Sequence, residues 1–177
     1  METKITCVYP MQRDIGRVDL FGYSSLGLPG VNILGFGKWG HSLKEKLIYF
    51  TRMHGLKLPQ KKYIICCEGY KERGVIKENS LQYIEFPMLV MLWTLAGLIP
   101  IKRLENCFCG GKIDIGGGIE YLSLSFENLS RLDQSFKAKG GPNWVYLSDR
   151  EEQVGEKIIS IPVRELFQDI KTKSITI

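Results

Sequence analysis

Gly35, Gly37 and Gly40 stand in the order G-x-G-x-x-G within "ILGFGKWGHSLKEK", between an apolar run and a helical pattern. Glycines in that order let a backbone approach a pyrophosphate while the following helix turns its N–H groups and positive dipole end toward the anion. The chemistry requires the loop to follow a strand and the third glycine to lie inside the helix's first turn. Glu68, after the next apolar strand, stands near where an acid would hold a ribose, although further along than the usual ~20 residues. Against this, "SLKE" reads as a capping box: Ser42 is the N-cap, Glu45 reaches back to its amide, and the helix starts two residues after Gly40. The glycines therefore read first as turn formers and only as weak candidates for a nucleotide loop.

Other reactive patterns are incomplete. No G-x-x-x-x-G-K-[ST] exists, because Asn32 and Asn106 occupy the first glycine's place before Gly37-Lys38 and Gly111-Lys112. His41 and His54 lie toward the two ends of one helix, with neither H-E-x-x-H spacing nor a nucleophile–base–orienter set. Five cysteines form no C-x-x-C; "CCE" puts Cys66 and Cys67 on opposite faces of a strand, and "CFC" puts Cys107 and Cys109 on one face. Three thiols at most can converge, so the expectation is reduced, buried cysteines, no metal and no cofactor. The net charge of +5 comes from lysines and arginines scattered among acids, with small concentrations at Lys57, Lys61, Lys62 and at Lys102, Arg103; these read first as a mixed-charge surface and then as the candidates for phosphate contacts with DNA.

Positioning these residues falls to one domain spanning residues 1–177, with 44% apolar and 24% charged residues. The N-terminus has no export-signal pattern, and "FPMLVMLWTLAGLIPI" is shorter than the roughly 20 residues a bilayer crossing needs, so a cytoplasmic protein with a buried core helix is expected. Strands at about 5–10, 16–24 and 31–36 read as an antiparallel meander, followed by a helix through Leu43, Leu47 and Phe50 that stops at Gly55. "KYIICCEGY" reads as a strand buried on both faces, and a helix is expected over about 84–98. A strand at "CFCGGKIDI", a helix at "SFENLSRLDQSFKAKG", strands "NWVYLS" and "KIISI" and a final helix "VRELFQDIKT" follow. The sum is a two-layer mixed α/β (α+β) domain with helices on one face of the sheet.

"GLPGVNILGFGKWGHSLKEKL", "GLKLPQKKYIICC", "IEFPMLVMLWTLAGLIP", "GGKIDIGGGI" and "KGGPNWVYLSDREEQVG" resemble, in order and spacing, the N-terminal domain of ComM/YifB-type magnesium-chelatase-like proteins. That domain is itself similar to the proteolytic domain of Lon and the C-terminal domain of RadA. The resemblance covers about Asp14 to Asp169 and implies a Lon-like fold, with a left-handed crossover joining "VNILGFG" to "KYIICCE". It also implies a protein partner or self-association, including a separate AAA+ ATPase, and a role linked to DNA uptake or recombination. Lon-like peptidases use a Ser-Lys dyad. Laid against them, Glu85 takes the nucleophile's place and Phe126 the lysine's, so no peptidase is expected. Glu85 then reads as a first-turn carboxylate and Phe126 as core packing. The stretch "GYKERGVIKENSLQY" is longer than its counterpart in the family and different from it.

Overall fold

The structure, a computed structural model, describes residues 1–12, 14–67, 78–138, 143–148, 152–162 and 172–176. Alternating apolar residues make β1 (Glu2–Pro10) and β2 (Ile15–Ser25) an antiparallel hairpin whose register runs from Glu2 opposite Tyr23 to Pro10 opposite Ile15. β3 (Gly30–Leu34) leads into α1 (Gly37–Met53), which returns the chain to β4 (Lys62–Cys67). β4 lies parallel to β3 and antiparallel to β2. The expected meander is therefore corrected: β4 takes the place beside β2, and β3 is pushed to the sheet edge. Burial explains the exchange, because β4 offers Tyr63, Ile65 and Cys67 to the core while β3 buries only Val31. β4 also alternates buried and half-buried residues, so it is covered on one face and not on both.

A continuous helical stretch follows: α2 (Glu78–Leu81), a 3-10 turn (Gln82–Ile84) and α3 (Glu85–Ala96), ended by Gly97 in the left-handed conformation. α3 is buried from Glu85 to Leu95, as its unbroken apolar run requires. β5 (Cys107–Cys109) and β6 (Gly111–Ile113) divide the expected single strand between two sheets. The break falls where a Cβ on Gly110 would come within 2.1 Å of the Val8 carbonyl oxygen. Then come β7 (Ile119–Ser123), α4 (Phe126–Ala138), β8 (Trp144–Ser148), β9 (Glu152–Val154), β10 (Ile158–Pro162) and β11 (Thr172–Thr176). The helix expected from residue 163 onward falls outside the described residues, apart from Thr172, which opens β11.

Among the described residues the large sheet has eight strands in the order β3-β4-β2-β1-β5-β8-β10-β9, and β11-β7-β6 form a second sheet. The architecture is mixed α/β, as expected. Even-numbered β2 residues face α3, where a Cβ on Gly22 would sit 2.5 Å from the Met91 sulfur. α1 shares that side: the Phe50 and Trp93 rings lie 6.0 Å apart, and Trp93 Nε1 donates to Thr51 Oγ1 at 2.9 Å. Odd-numbered β2 residues face the other way. There the Arg17 guanidinium lies 5.8 Å from the Phe136 ring and donates to Ser135 of α4. Helices on one face thus describes α1 and α3, while α4 covers the opposite side because Phe136 completes an aromatic layer there. Phe136 stacks on Trp144 at 4.1 Å, and Phe108 stacks on Tyr146 at 4.8 Å.

The far end of α4 is clipped to the β9–β10 hairpin. The Asp133 carboxylate accepts the Lys157 amide at 2.8 Å and pairs with the Lys137 ammonium at 3.1 Å. Burial pushes the Asp133 carboxyl up, but the hydrogen bonds from Lys137 and the backbone amides, with the Lys137 charge, outweigh it and hold it below the ordinary carboxylate range.

Candidate functional site

The glycine loop follows the C-terminal end of β3. α1 begins at Gly37, five residues before Ser42, and its N-cap Phe36 makes no side-chain capping bond. Ser42 is interior, so the capping-box expectation is corrected. Phe36 is buried and meets Trp39 edge-on at 5.3 Å, a contact that fixes the first turn earlier than the polar sequence suggests. Gly40 consequently lies inside that turn and packs on β3, where a Cβ would stand 3.2 Å from the Ile33 carbonyl oxygen. Gly37 has φ +54° with open space where a side chain would go, and Gly35 has φ +95° against the Cys67 backbone. The three glycines thus meet the steric demands of a phosphate-approach loop. Glu68, the proposed ribose acid, falls outside the described residues.

Of the two positions matched to a Ser-Lys dyad, Glu85 stands in the first turn of α3 as expected, and Phe126 departs from expectation. Phe126 is 77% exposed at the start of α4, which corrects its reading as core packing; the stripe Leu129, Leu132 and Phe136 reaches the sheet and the first turn does not. Glu85 is only 4% exposed and does more than sit at a helix start. Its Oε2 accepts from the Lys46 ammonium of α1 at 2.7 Å and from the Ile113 amide of β6 at 2.9 Å, tying α1 and α3 to the small sheet. Lys46 lies 39 residues from Glu85, and no local pattern marks the two as partners. A lysine whose proton is held by a carboxylate has no lone pair to activate a nucleophile, and Ser80, the nearest upstream hydroxyl, donates to the Pro10 carbonyl at 2.9 Å.

The thiols cluster as their spacing allowed. Cys7 pairs with Cys109 across β1 and β5, and Cys107 shares the strand face of Cys109. Burial, reinforced by the neighbouring thiols Cys109 and Cys67, raises the Cys7 thiol well above its ordinary range, and Cys107 is pushed up to about 12 by burial and then by Glu105. These are buried, protonated side chains. Among the described residues no group of three or more His, Cys, Asp and Glu is placed to hold a metal ion. His54 is occupied in bonding Gly117 O at 2.8 Å.

The basic residues fall at the end of the sheet opposite the glycine loop. Lys62 opens β4, Lys57 and Lys61 precede it, and Lys102 and Arg103 precede β5; Leu104 N bonds Thr3 Oγ1 at the start of β1. β4 and β5 are separated by β2 and β1, three strand spacings or about 14 Å. Arg52, at the C-terminal end of α1, joins this basic end; composition alone did not select it because it is isolated in sequence.

One surface went unforeseen. Opposite α3, the half of the sheet formed by β2, β4 and β3 has no helix over it among the described residues. Register places Phe21, Cys66 and Leu34 in one row and Tyr23, Ile64 and Asn32 in the next. Leu34 is 52% and Tyr23 44% exposed, and Leu26 and Leu28 protrude from the adjoining turn. The signal was present in β2, where Val18 and Leu20 alternate with Phe21 and Tyr23, giving a strand apolar on both faces.

A mixed α/β domain with two sheets is the class these features define. No family model matches the chain, and no curated protein matches it. No helix of the described residues is long and apolar enough to cross a membrane.

Proposed function

We propose that the chain is a non-catalytic assembly domain that self-associates through the open half of its large sheet, in keeping with its resemblance to the N-terminal domain of ComM/YifB-type proteins. The observation that carries the reading is the two-row, largely apolar surface of Phe21, Cys66, Leu34, Tyr23, Ile64 and Asn32, with Tyr23, Asn32 and Leu34 exposed and the others half-buried, and with no helix over it among the described residues. Apolar rows of this kind mark interaction surfaces, and an isologous contact would set them against their own copies. Glu85 held by Lys46 and Phe126 turned to solvent support the absence of peptidase chemistry. Sedimentation velocity over a concentration series tests the proposal: the wild-type chain forms a dimer that Tyr23→Asp with Leu34→Asp dissociates. A wild-type chain that stays monomeric at the highest soluble concentration refutes it.

A second reading has its own support. Gly40 inside the first turn, with open space at Gly37, favours a nucleotide on the α1 N-terminus. Saturation with NAD or ATP at 100 times its dissociation constant would stabilise the fold by about 2.7 kcal/mol, and an unchanged melting temperature removes this reading. Weak, salt-sensitive DNA binding through the Lys57, Lys61, Lys62 and Lys102, Arg103 clusters is a third. Binding that survives Lys61→Glu with Lys62→Glu excludes those residues as its contact surface.

A further inference from the structure

Between the end of α1 and the start of β3 and β4 lies a half-open cavity of about 410 Å³. Its volume is within the ~300–1,000 Å³ range of small-molecule sites. Val31, Ile48, Leu56 and Leu58 supply apolar walls. Pro29 and Pro59 stiffen the rim, and the Tyr63 hydroxyl donates to the Pro59 carbonyl at 3.0 Å, fixing the β4 side. Three cations, Arg52, Lys57 and Lys61, belong to the lining and are all exposed, and among the described residues none of them makes an ion pair and no carboxylate lines the cavity. At the C-terminal end of α1 the Arg52 and Thr51 carbonyls are already taken by the Gly55 and Leu56 amides.

We infer that this cavity binds an amphiphilic organic anion, its apolar body against Val31, Ile48, Leu56 and Leu58 and its carboxylate or phosphate head at Arg52, Lys57 and Lys61. An apolar slot whose lining includes exposed cations and no acid is complementary to that chemistry and to few others: a neutral hydrophobe leaves the charges unused, and an inorganic anion leaves the walls wet. A nucleic-acid backbone would use the lysines but not the slot. The cavity lies on the α3 side of the sheet, so the inference stands apart from the open-face assembly surface.

Isothermal titration with decanoate, octanoate and decanol tests it on the full chain. Decanoate binds, octanoate, two methylenes shorter, binds about 15-fold more weakly because each methylene is worth about fourfold, and decanol binds more weakly than decanoate. Lys57→Glu with Lys61→Glu, surface changes whose fold is checked by circular dichroism, weakens decanoate at least tenfold and leaves decanol unchanged. Ile48→Trp, which fills the slot, weakens both. No decanoate binding, decanoate binding indifferent to the charge reversal, or decanoate displaced by a single-stranded oligonucleotide that itself ignores Ile48→Trp overturns the inference.

Discussion

Replacing Lys46 by methionine should damage the fold more than replacing Glu85 by glutamine, although both remove the same ion pair of 2.7 Å. The asymmetry follows from where each charge is left. In Lys46→Met the Glu85 carboxylate, 4% exposed, stays among apolar residues with the Ile113 amide at 2.9 Å as its remaining donor. An ion so stranded costs about 3–5 kcal/mol. In Glu85→Gln the side-chain amide oxygen can still accept from both the Ile113 amide and the Lys46 ammonium, which bond the same oxygen of Glu85, and the lysine side chain, 30% exposed, keeps its access to water. The cost there is the weakening of a charge-assisted bond, about 1–2 kcal/mol. The double variant leaves no buried charge and should be more stable than Lys46→Met alone, by about 2 kcal/mol. Urea titration at pH 7 reads all three as midpoint shifts at constant slope. If Lys46→Met is no less stable than Glu85→Gln, or if the double variant costs the sum of the two, the pair is not the buried anchor that its geometry describes.

Alkaline titration should expose the buried thiols. Cys107 titrates at about 12 in the fold against 9.0 when free, so the native state keeps a proton the unfolded chain releases, and stability falls as pH rises past 9. From pH 8 to 10 the loss from this residue is about 1.4 kcal/mol, and Cys107→Ser should flatten the limb by that amount in pH-dependent denaturation. At the acid end Asp133, held low, contributes stability that is present above its free value near 3.8 and lost as pH falls through its lower folded value. Asp133→Asn should therefore flatten the acid limb, and an unchanged limb would deny the clip to Lys137 and Lys157. Gly110→Ala should cost about 3 kcal/mol because its Cβ meets the Val8 carbonyl. Gly30→Ala, with nothing within 4 Å, should stay within about 0.5 kcal/mol by the same urea titration. Casein hydrolysis should be undetectable; turnover lost on Ser80→Ala would contradict the assignment of that hydroxyl to Pro10.

Legibility in the sequence followed the range of the interactions. The helix of residues 85–96 and the strand of 144–148 could be read because apolar runs and alternation are local signals. The α1 start was misread because "SLKE" is a sound local cap, while the Phe36–Trp39 contact that overrides it depends on Phe36 being buried by the sheet. Strand order was hidden for a related reason: nothing near residues 30–34 indicates that residues 62–67 will come between them and β2. Lys46 with Glu85, and the cations around the cavity, are meetings of distant residues on separate elements. The open face could have been read from β2, whose two apolar parities demand either burial on both sides or a partner.

β1 has a further consequence, for how the chain acquires its structure. One edge of this strand is satisfied at once by β2, its immediate successor, but the other waits for Cys107–Cys109 of β5, which pair with Thr6 and Cys7. A ribosome adding ~5–20 residues each second leaves that edge without its partner for many seconds. During that interval Cys7 and Val8 line an apolar strand edge open to any other nascent chain. The hairpin can form early, yet the central seam of the sheet closes only after α3 and the first residues of the C-terminal half have emerged. Conditions that slow synthesis between residues 25 and 107 should therefore raise the aggregated fraction, while purified chain, which has all its strands from the start, should refold without that loss.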